Sequence, residues 1–233
     1  FGPYYCHDPL ETSGWAIDGT PLTLNDGRMF FIWSGWPGKR NGKQNLYIAP
    51  MKSPTEMAGP RVLIATPEQP WERVAMPICE GPQVLKNGKK VFIVYSASGS
   101  WTPDYCLGLL SNESGDVLNP AAWTKRGPVF QKTEHVWGLG HCSFVKSPCQ
   151  REDWIIYHSK SRKEHGWEDR DVHAKRFSWT PDGYPDFGEP MPRGYQAPAT
   201  SLLDVGQTSF QNAALLVERS ATSETVSQNS THA

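Results

Sequence analysis

Residues 90–96, with the sequence KVFIVYS, form an apolar run rich in aromatic and β-branched side chains. A run of this length and composition is typical of a buried β-strand. Two similar runs lie on either side of it, at residues 28–34 (RMFFIWS) and 152–158 (EDWIIYH). These runs indicate an internal repeat of about 61 residues, and a repeat of this length favours an architecture built from repeated units.

Further strand-like runs follow each of these segments in the same order. The predicted third strands are Leu46–Met51, Tyr105–Leu110 and Val172–Trp179, and the predicted fourth strands are Arg61–Ile64, Thr124–Phe130 and a weak one near Phe187. Turn residues precede two of the second strands, at Asn25-Asp26-Gly27 and Asn87-Gly88. About four strands per repeat predict an all-β fold, a β-propeller with roughly three blades. A generic β-sandwich with coincidental spacing is the alternative.

The chain divides by composition into two parts. Residues 1–194 contain the repeats and are predicted to form a partial propeller. Residues 195–233 are rich in Ser, Thr, Ala and Gln, and Phe210 is the one aromatic side chain after position 195. Such a composition cannot bury enough apolar surface to order the chain, so a disordered tail is expected, with at most a weak helix around 210–217.

One polar residue stands before the second strand of each repeat. Asp18 lies in WAIDGT, Glu80 in CEGP and His141 in GHCSF; Glu80 follows Asp18 by 62 residues and His141 follows Glu80 by 61. If the repeats are blades, equivalent inner strands converge on one axis, and these three side chains are predicted to face a common cavity.

A pair of carboxylates in a cavity of this kind suits the cleavage of glycosidic bonds. One carboxylic acid protonates the leaving oxygen, and a second carboxylate activates water or attacks. Because two nearby acids do not ionise independently, one keeps its proton towards neutral pH. Glu80 is the predicted proton donor, and Asp18 is the charged neighbour that raises its pKa. The alternative is that both acids lie in ordinary solvated turns.

Other side chains near these motifs have competing interpretations. Cys79 and Cys142 flank Glu80 and His141, but strand alternation points Cys79 away from Glu80, so packing roles are favoured over a nucleophilic thiol. His141 alone also fits a satisfied core group. Trp36 and Trp101 follow second strands and could stack on sugar rings, although Trp is equally common in propeller cores.

Composition excludes several classes of partner. The formal charge of −1 and the pI near 6.7 leave no basic face for nucleic acid. No apolar run reaches the ~18 residues that a membrane span needs. Five cysteines without metal-ligand spacing predict no closed metal site, and the sequons at Asn112 and Asn229 give mild support for a secreted protein.

Several segments resemble extracellular arabinofuranosidases of glycoside hydrolase family 43. These segments are WAIDGT (15–20), NLYIAPM (45–51), EGPQVL (80–85), YSASGSWTPDYCLG (95–108) and GLGHCSF (138–144). The resemblance implies a five-bladed propeller that cleaves α-L-arabinofuranosyl or β-xylosyl bonds of plant polysaccharides with inversion, outside the cell. By motif, Glu80 matches the general acid and Asp18 the pKa modulator.

The resemblance also implies binding roles. His141 matches a histidine on the propeller axis that often helps to hold calcium or water, which makes it the candidate ligand of a structural calcium ion, although no cofactor is required. Arg170 resembles the arginine that contacts the sugar. Arabinose- or xylose-containing polysaccharide or oligosaccharide is the expected partner.

One family residue has no clear counterpart in this chain. The family's catalytic base lies in an Asp-Pro-containing strand well before the modulator, and Asp8-Pro9 precedes Asp18 by only 10 residues. The spacing does not fit the repeat, so Asp8 is a poor candidate. The expectation is that the first blades lie upstream of Phe1. An inactive or sugar-binding propeller is the alternative function.

Overall fold

The computed structural model describes Pro3 and residues 5–164 and 166–195 of the chain. The tail predicted to be disordered, including the weak helix at 210–217, lies almost entirely outside these residues. The described strands are β1 Ala16–Thr23, β2 Met29–Gly35, β3 Asn45–Ser53, β4 Glu56–Met57, β5 Val62–Ala65, β6 Cys79–Asn87, β7 Lys90–Ala97, β8 Cys106–Asn112, β9 Thr124–Phe130, β10 Trp137–Lys146, β11 Asp153–Lys160, β12 Arg170–Trp179 and β13 Pro185–Asp186. Two short 3₁₀ helices cover Pro70–Glu72 and Pro120–Ala122.

The strands form three sheets, one for each sequence repeat. Sheet 1 has the order β1-β2-β3-β4 with β5 also paired to β3, sheet 2 is β6-β7-β8-β9, and sheet 3 is β10-β11-β12-β13. The prediction of an all-β chain with three repeated units is confirmed, and the predicted second to fourth strands agree with the observed ones within about two residues. Sheet 1 differs from the prediction by one additional short strand, β4.

Two layers of apolar side chains lie on either side of sheet 2, and a third, smaller cluster lies on sheet 1. Strand β7 shows this most clearly, because successive side chains on a strand point to opposite faces. Ile93 and Tyr95 join the cluster that includes Ile32 of sheet 1. Phe92 and Val94 join the cluster shared with sheet 3. Burial on both faces explains why residues 90–96 read as a continuous apolar run rather than as an alternating one.

The beginning of β6 is attached to sheet 1. The Ser34 hydroxyl donates a hydrogen bond of 2.8 Å to the Cys79 carbonyl, and the Cys79 amide donates one of 3.0 Å to the Gln44 carbonyl. Gln44 also forms an isolated bridge with Ile78. These contacts fix the backbone position of the residue immediately before Glu80.

A buried ion pair lies beneath this junction. Glu72, in the first 3₁₀ helix, is fully buried, and its carboxylate accepts hydrogen bonds from Lys125 Nζ at 2.8 and 3.0 Å. Tyr95 Oη donates to the same carboxylate at 2.8 Å and Cys79 Sγ at 3.4 Å. Burial raises the pKa of Glu72, but the hydrogen bonds from Lys125, the Gln69 backbone and Tyr95 outweigh it and leave the pKa below its ordinary value.

Cys79 and Cys142 are packing residues, as the sequence indicated. Both side chains are buried, Cys79 in the layer between sheets 1 and 2 and Cys142 in the layer between sheets 2 and 3. Burial raises the pKa of both thiols, so neither forms a thiolate readily.

The chain separates into two compact units. The first comprises Phe1–Val145 and Asp153–Ala197 and holds every candidate site residue. Of the second unit, the structure describes Lys146–Glu152, a turn in which the Ser147 amide donates to the Glu152 carbonyl at 2.9 Å. The domain boundary at residue 194 stays a prediction.

Candidate active site

Irregularities in the first strands of sheets 1 and 2 shape the candidate site. In β1 the register shifts between Ile17 and Thr20, and in β6 it shifts between Glu80 and Gln83, so each strand contains one extra residue opposite its partner. The residue after Ile17 and the residue after Glu80 both have positive φ angles. Such bulges re-aim side chains and occur next to active sites.

Because of the bulges, the structural alignment of the repeats differs by one residue from the alignment that sequence spacing predicts. Asp18 has φ 58°, Gly81 has φ 55° and His141 has φ 49°, so these three residues share the unusual backbone conformation. Gly81 is therefore the counterpart of Asp18, and Glu80 is the counterpart of Ile17. Sequence spacing alone placed Asp18 and Glu80 in equivalent positions, because a bulge leaves no trace in the apolar pattern.

Asp18 connects all three sheets. Its Oδ2 accepts a hydrogen bond of 3.0 Å from the Gly81 amide, and its Oδ1 lies 3.8 Å from His141 Nε2. A β-carbon added to Gly81 would lie 3.2 Å from the His141 ring, so the glycine allows the imidazole to approach. The structure thus brings Asp18, His141 and the backbone next to Glu80 together. Their roles stay predictions.

Glu80 is largely buried, with 9% of its surface exposed. Tyr105 Oη donates a hydrogen bond of 2.7 Å to Glu80 Oε1. Burial raises the pKa of Glu80 most, and the charge of Asp18 raises it further, whereas Tyr105, His141 and Arg170 lower it. The net result is a pKa above the ordinary value, so Glu80 keeps its proton to a higher pH than an exposed glutamate does.

Buried polar groups lie next to the Tyr105 hydroxyl that binds Glu80. The His141 amide donates to Ser96 Oγ at 2.7 Å. Burial raises the pKa of Tyr105, and the Ser96 side chain lowers it in part. Because Tyr105 donates to Oε1, the proton of a neutral Glu80 belongs on Oε2. We call Ser96, Tyr105 and Glu80 the carboxyl relay.

Sequence reasoning did not identify Ser96 or Tyr105 as site residues. The available signal was weak: Ser96 is a hydroxyl at the end of the apolar run 90–96, and Tyr105 begins the third strand of the same repeat. Gly140 makes room for the Tyr105 ring, since a β-carbon there would lie 2.2 Å from it.

His158 is a further residue that the sequence did not reveal. Its ring stacks on Tyr105 with centroids 5.8 Å apart and planes at 11°. Burial, followed by the charge of Arg170, lowers the pKa of His158 to about 3. His158 is therefore neutral at neutral pH and does not compete with the carboxyl relay for a proton.

Arg170 is the first residue of β12 in sheet 3, and its side chain is exposed. Its guanidinium donates to the Ser100 carbonyl at 3.1 Å. Its charge lowers the pKa of both Glu80 and His158, so the guanidinium lies within electrostatic reach of both groups. Its substrate-binding role stays a prediction.

The two tryptophans predicted to stack on sugars lie in different surroundings. Trp36 is half-buried and stacks on Trp15, with centroids 4.4 Å apart and planes at 14°, next to the start of β1. Trp101 is half-buried and meets the exposed Trp167 edge to face. Both substrate-binding roles stay predictions, and Trp167 was missed by sequence reasoning.

Asp8 and the possible calcium ion have no support from the site geometry. Asp8 is exposed, and a cavity of about 400 Å³ beside Asp18 is lined by the neighbouring Pro9 and Leu10 but, among the described residues, not by Asp8. Calcium takes about six to eight oxygen ligands. Within residues 5–164 and 166–195 there is no cluster of three or more His, Cys, Asp or Glu side chains that could hold a metal. The calcium ion near His141 stays a prediction.

No helix among the described residues has the length and apolarity that a membrane crossing requires.

Comparisons with known proteins identify relatives of this chain. The chain is 33% identical over 189 residues to alpha-L-arabinofuranosidase 43 of Humicola insolens and 35% identical over 191 residues to the extracellular exo-alpha-(1->5)-L-arabinofuranosidase of Streptomyces avermitilis. These alignments cover 77% and 78% of this chain but 39% of each relative, so the chain spans about two-fifths of their length.

Solved structures give the fold. An alpha-L-arabinofuranosidase from Lactobacillus brevis superimposes with a TM-score of 0.75 at 30% identity, over 82% of this chain and 61% of that one. A thermostable family-43 glycoside hydrolase superimposes with a TM-score of 0.69 at 26% identity, over 79% of this chain and 61% of that one. The three sheets are blades of a β-propeller, as predicted. The model of glycosyl hydrolases family 43 matches residues 2–185, and the chain therefore belongs to this family of glycosidases.

Proposed function

We propose that this chain supplies the acid half of a site that hydrolyses α-L-arabinofuranosyl bonds with inversion, in plant polysaccharides that contain arabinose or xylose. Glu80 is the general acid, and Asp18 is the neighbouring carboxylate that raises its pKa. The observation that supports this assignment best is a buried carboxyl group with a raised pKa, held by Tyr105 and beside a second carboxylate.

The proton transfer follows from the carboxyl relay. Tyr105 occupies Glu80 Oε1, so Oε2 presents the proton to the leaving oxygen as the glycosidic bond breaks. A water molecule, activated by a separate base, attacks the opposite face of the sugar. We assign neither Asp18 nor Glu80 to that base.

Asp18 acts through charge and position. A negative charge near Glu80 disfavours a second negative charge, so Asp18 delays the ionisation of Glu80. The Gly81 amide donates to Asp18 Oδ2 and the His141 ring lies 3.8 Å from Oδ1, so these contacts hold the Asp18 carboxyl group in position.

The names of the relatives support the proposed substrate and location. Both curated relatives described above are named as arabinofuranosidases, and the Streptomyces protein is named as extracellular. We therefore propose arabinofuranosyl bonds as the first substrate, β-xylosyl bonds as the second, and secretion of the protein.

Product stereochemistry tests the proposed reaction. The full-length protein is incubated with an aryl α-L-arabinofuranoside, and the sugar first released is followed by proton NMR. Inverted configuration is expected. Retained configuration would overturn the mechanism, and arabino-oligosaccharide binding without any product would favour the sugar-binding propeller instead.

Tyr105→Phe tests the carboxyl relay. Loss of one hydrogen bond to the acid is expected to reduce turnover about tenfold, the rate factor of ~1.4 kcal/mol. Because the Tyr105 hydrogen bond lowers the pKa of Glu80, its removal raises that pKa, and the alkaline fall of the pH–rate profile is expected at higher pH.

Tyr95→Phe is the matched control for this variant. Tyr95 is also buried and donates to a carboxylate, but that carboxylate is Glu72, away from the site. The control is expected to lose stability without moving the alkaline fall of the profile. An equal shift in both variants would remove Tyr105 from the relay.

A further inference from the structure

Two loops at the site end of the blades are bound to each other. These are the loop after β7 and the loop between β11 and β12. Trp167 Nε1 donates to Ser100 Oγ at 3.1 Å, and the Gly166 amide donates to the Trp101 carbonyl at 2.8 Å. Arg170 adds a third link by donating to the Ser100 carbonyl at 3.1 Å. These contacts join a loop of sheet 2 to a loop of sheet 3. We call the joined residues, 100–101 and 166–170, the rim.

Trp167 presents an oriented aromatic face on this rim. The side chain is 61% exposed, yet its nitrogen is held by Ser100 and its ring meets Trp101 with centroids 5.4 Å apart and planes at 67°. Trp101 in turn lies against Gly99, where a β-carbon would be 2.9 Å from its ring. An exposed indole that is already fixed loses little entropy when a ligand stacks on it.

Charge links this aromatic face to the reacting carboxyl group. Arg170 hydrogen-bonds the same residue, Ser100, that holds the Trp167 indole. Burial raises the pKa of Glu80, and Arg170 is among the charges that lower it, so the guanidinium lies within electrostatic reach of the acid. Trp167 and Arg170 are thus both bound to Ser100, in the loop after β7 of the sheet that holds Glu80.

We propose that Trp167, supported by Trp101, is a subsite for the sugar ring on the leaving-group side of the cleaved bond. The proposal rests on the proposed function, because it takes Glu80 as the acid: the acid protonates the leaving oxygen, so the sugar attached to that oxygen lies on the acid's side. The apolar face of a sugar ring stacks on the indole, and Arg170 donates to its hydroxyl groups. The subsite selects oligosaccharides and polysaccharides over single sugars.

The test measures binding rather than turnover. Full-length protein with Glu80→Gln is titrated calorimetrically with α-1,5-linked arabinotriose and with arabinose. Adding Trp167→Ala is expected to weaken arabinotriose binding roughly tenfold, the factor that ~1.4 kcal/mol of stacking gives, and to leave arabinose binding unchanged. Trp167→Phe, which keeps a ring, is expected to retain most of the affinity.

Tyr5→Ala serves as the control, because Tyr5 is 81% exposed and outside the rim. It is expected to change neither affinity. Unchanged arabinotriose binding in Trp167→Ala, or an equal loss for arabinose and arabinotriose, would overturn the subsite. Thermal melts of each variant confirm that the fold is kept.

The design separates failure of the subsite from failure of the proposed function. A Glu80→Gln protein that still cleaves arabinotriose would overturn the role of Glu80. The subsite is then judged by KM: a larger KM in Trp167→Ala for arabinotriose, but not for methyl α-L-arabinofuranoside, supports it, and equal changes overturn it.

Discussion

Glu80→Gln is expected to lower turnover on arabino-oligosaccharides by about a hundred- to ten-thousandfold, the range of general acid catalysis. An amide has nearly the shape of the protonated acid, so the Tyr105 hydrogen bond can persist, but it has no proton to give. The loss is expected to be much smaller on an aryl arabinofuranoside with an acidic phenol, whose leaving group departs without protonation. Steady-state rates on both substrates are the measurement.

The control for this variant is Glu113→Gln, the same substitution at an exposed carboxylate. Glu113 pairs with Lys90 at 2.7 Å on the surface and is placed outside the site. Its rates are expected to equal those of the unmodified protein. If Glu80→Gln slowed both substrates by the same factor, Glu80 would have a role other than proton donation.

Lys125→Met is expected to destabilise the fold by about 3 to 5 kcal/mol, because it leaves the Glu72 charge buried without its partner. Glu72 is fully buried, and Lys125 lies 2.8 Å from its carboxylate. Chemical denaturation monitored by Trp fluorescence measures the free energy of unfolding. Lys52→Met is the control: Lys52 and Glu56 form an exposed pair, whose loss is expected to cost less than ~1 kcal/mol.

The stability difference between the unmodified protein and the Lys125→Met variant depends on pH with a defined sign. The pKa of Glu72 is lower in the folded state than its ordinary value. The stabilisation by Glu72 is therefore fully present above the ordinary glutamate pKa and is lost as the pH falls through the lower, folded value. The free energies of unfolding of the unmodified protein and of the Lys125→Met variant are expected to converge at acid pH. A constant gap down to that range would contradict the account.

The strands were predictable because their signal is local. The run 90–96 is apolar from Val91 to Tyr95 since β7 is buried on both faces, and the two similar runs share that environment in part. The bulge at Glu80 could not be predicted in this way. It shifts the direction of a side chain by one residue without altering the apolar pattern.

The contacts of the site were less predictable than the site's acids. Asp18 and Glu80 were recognisable as acids in repeated motifs. In the sequence Tyr105 resembles any aromatic residue of a strand, and only the fold brings its hydroxyl to Glu80. Trp167 lies in a polar loop with no periodicity, and only the contact with Ser100 gives it a direction. Pairings between distant segments depend on tertiary packing rather than on local composition.

Cys79 and Glu80 are neighbours in sequence, but the carboxyl group that Cys79 contacts and the carboxyl group of Glu80 have pKa values shifted in opposite directions. Cys79 Sγ contacts Glu72, whose pKa is lowered, whereas Glu80 itself has a raised pKa. Different causes set the two pKa values: the hydrogen bond from Lys125 is the largest that lowers the pKa of Glu72, whereas burial, followed by the charge of Asp18, raises that of Glu80. Tolerance of acid and the optimum for activity can consequently change independently during evolution, through substitutions at different positions.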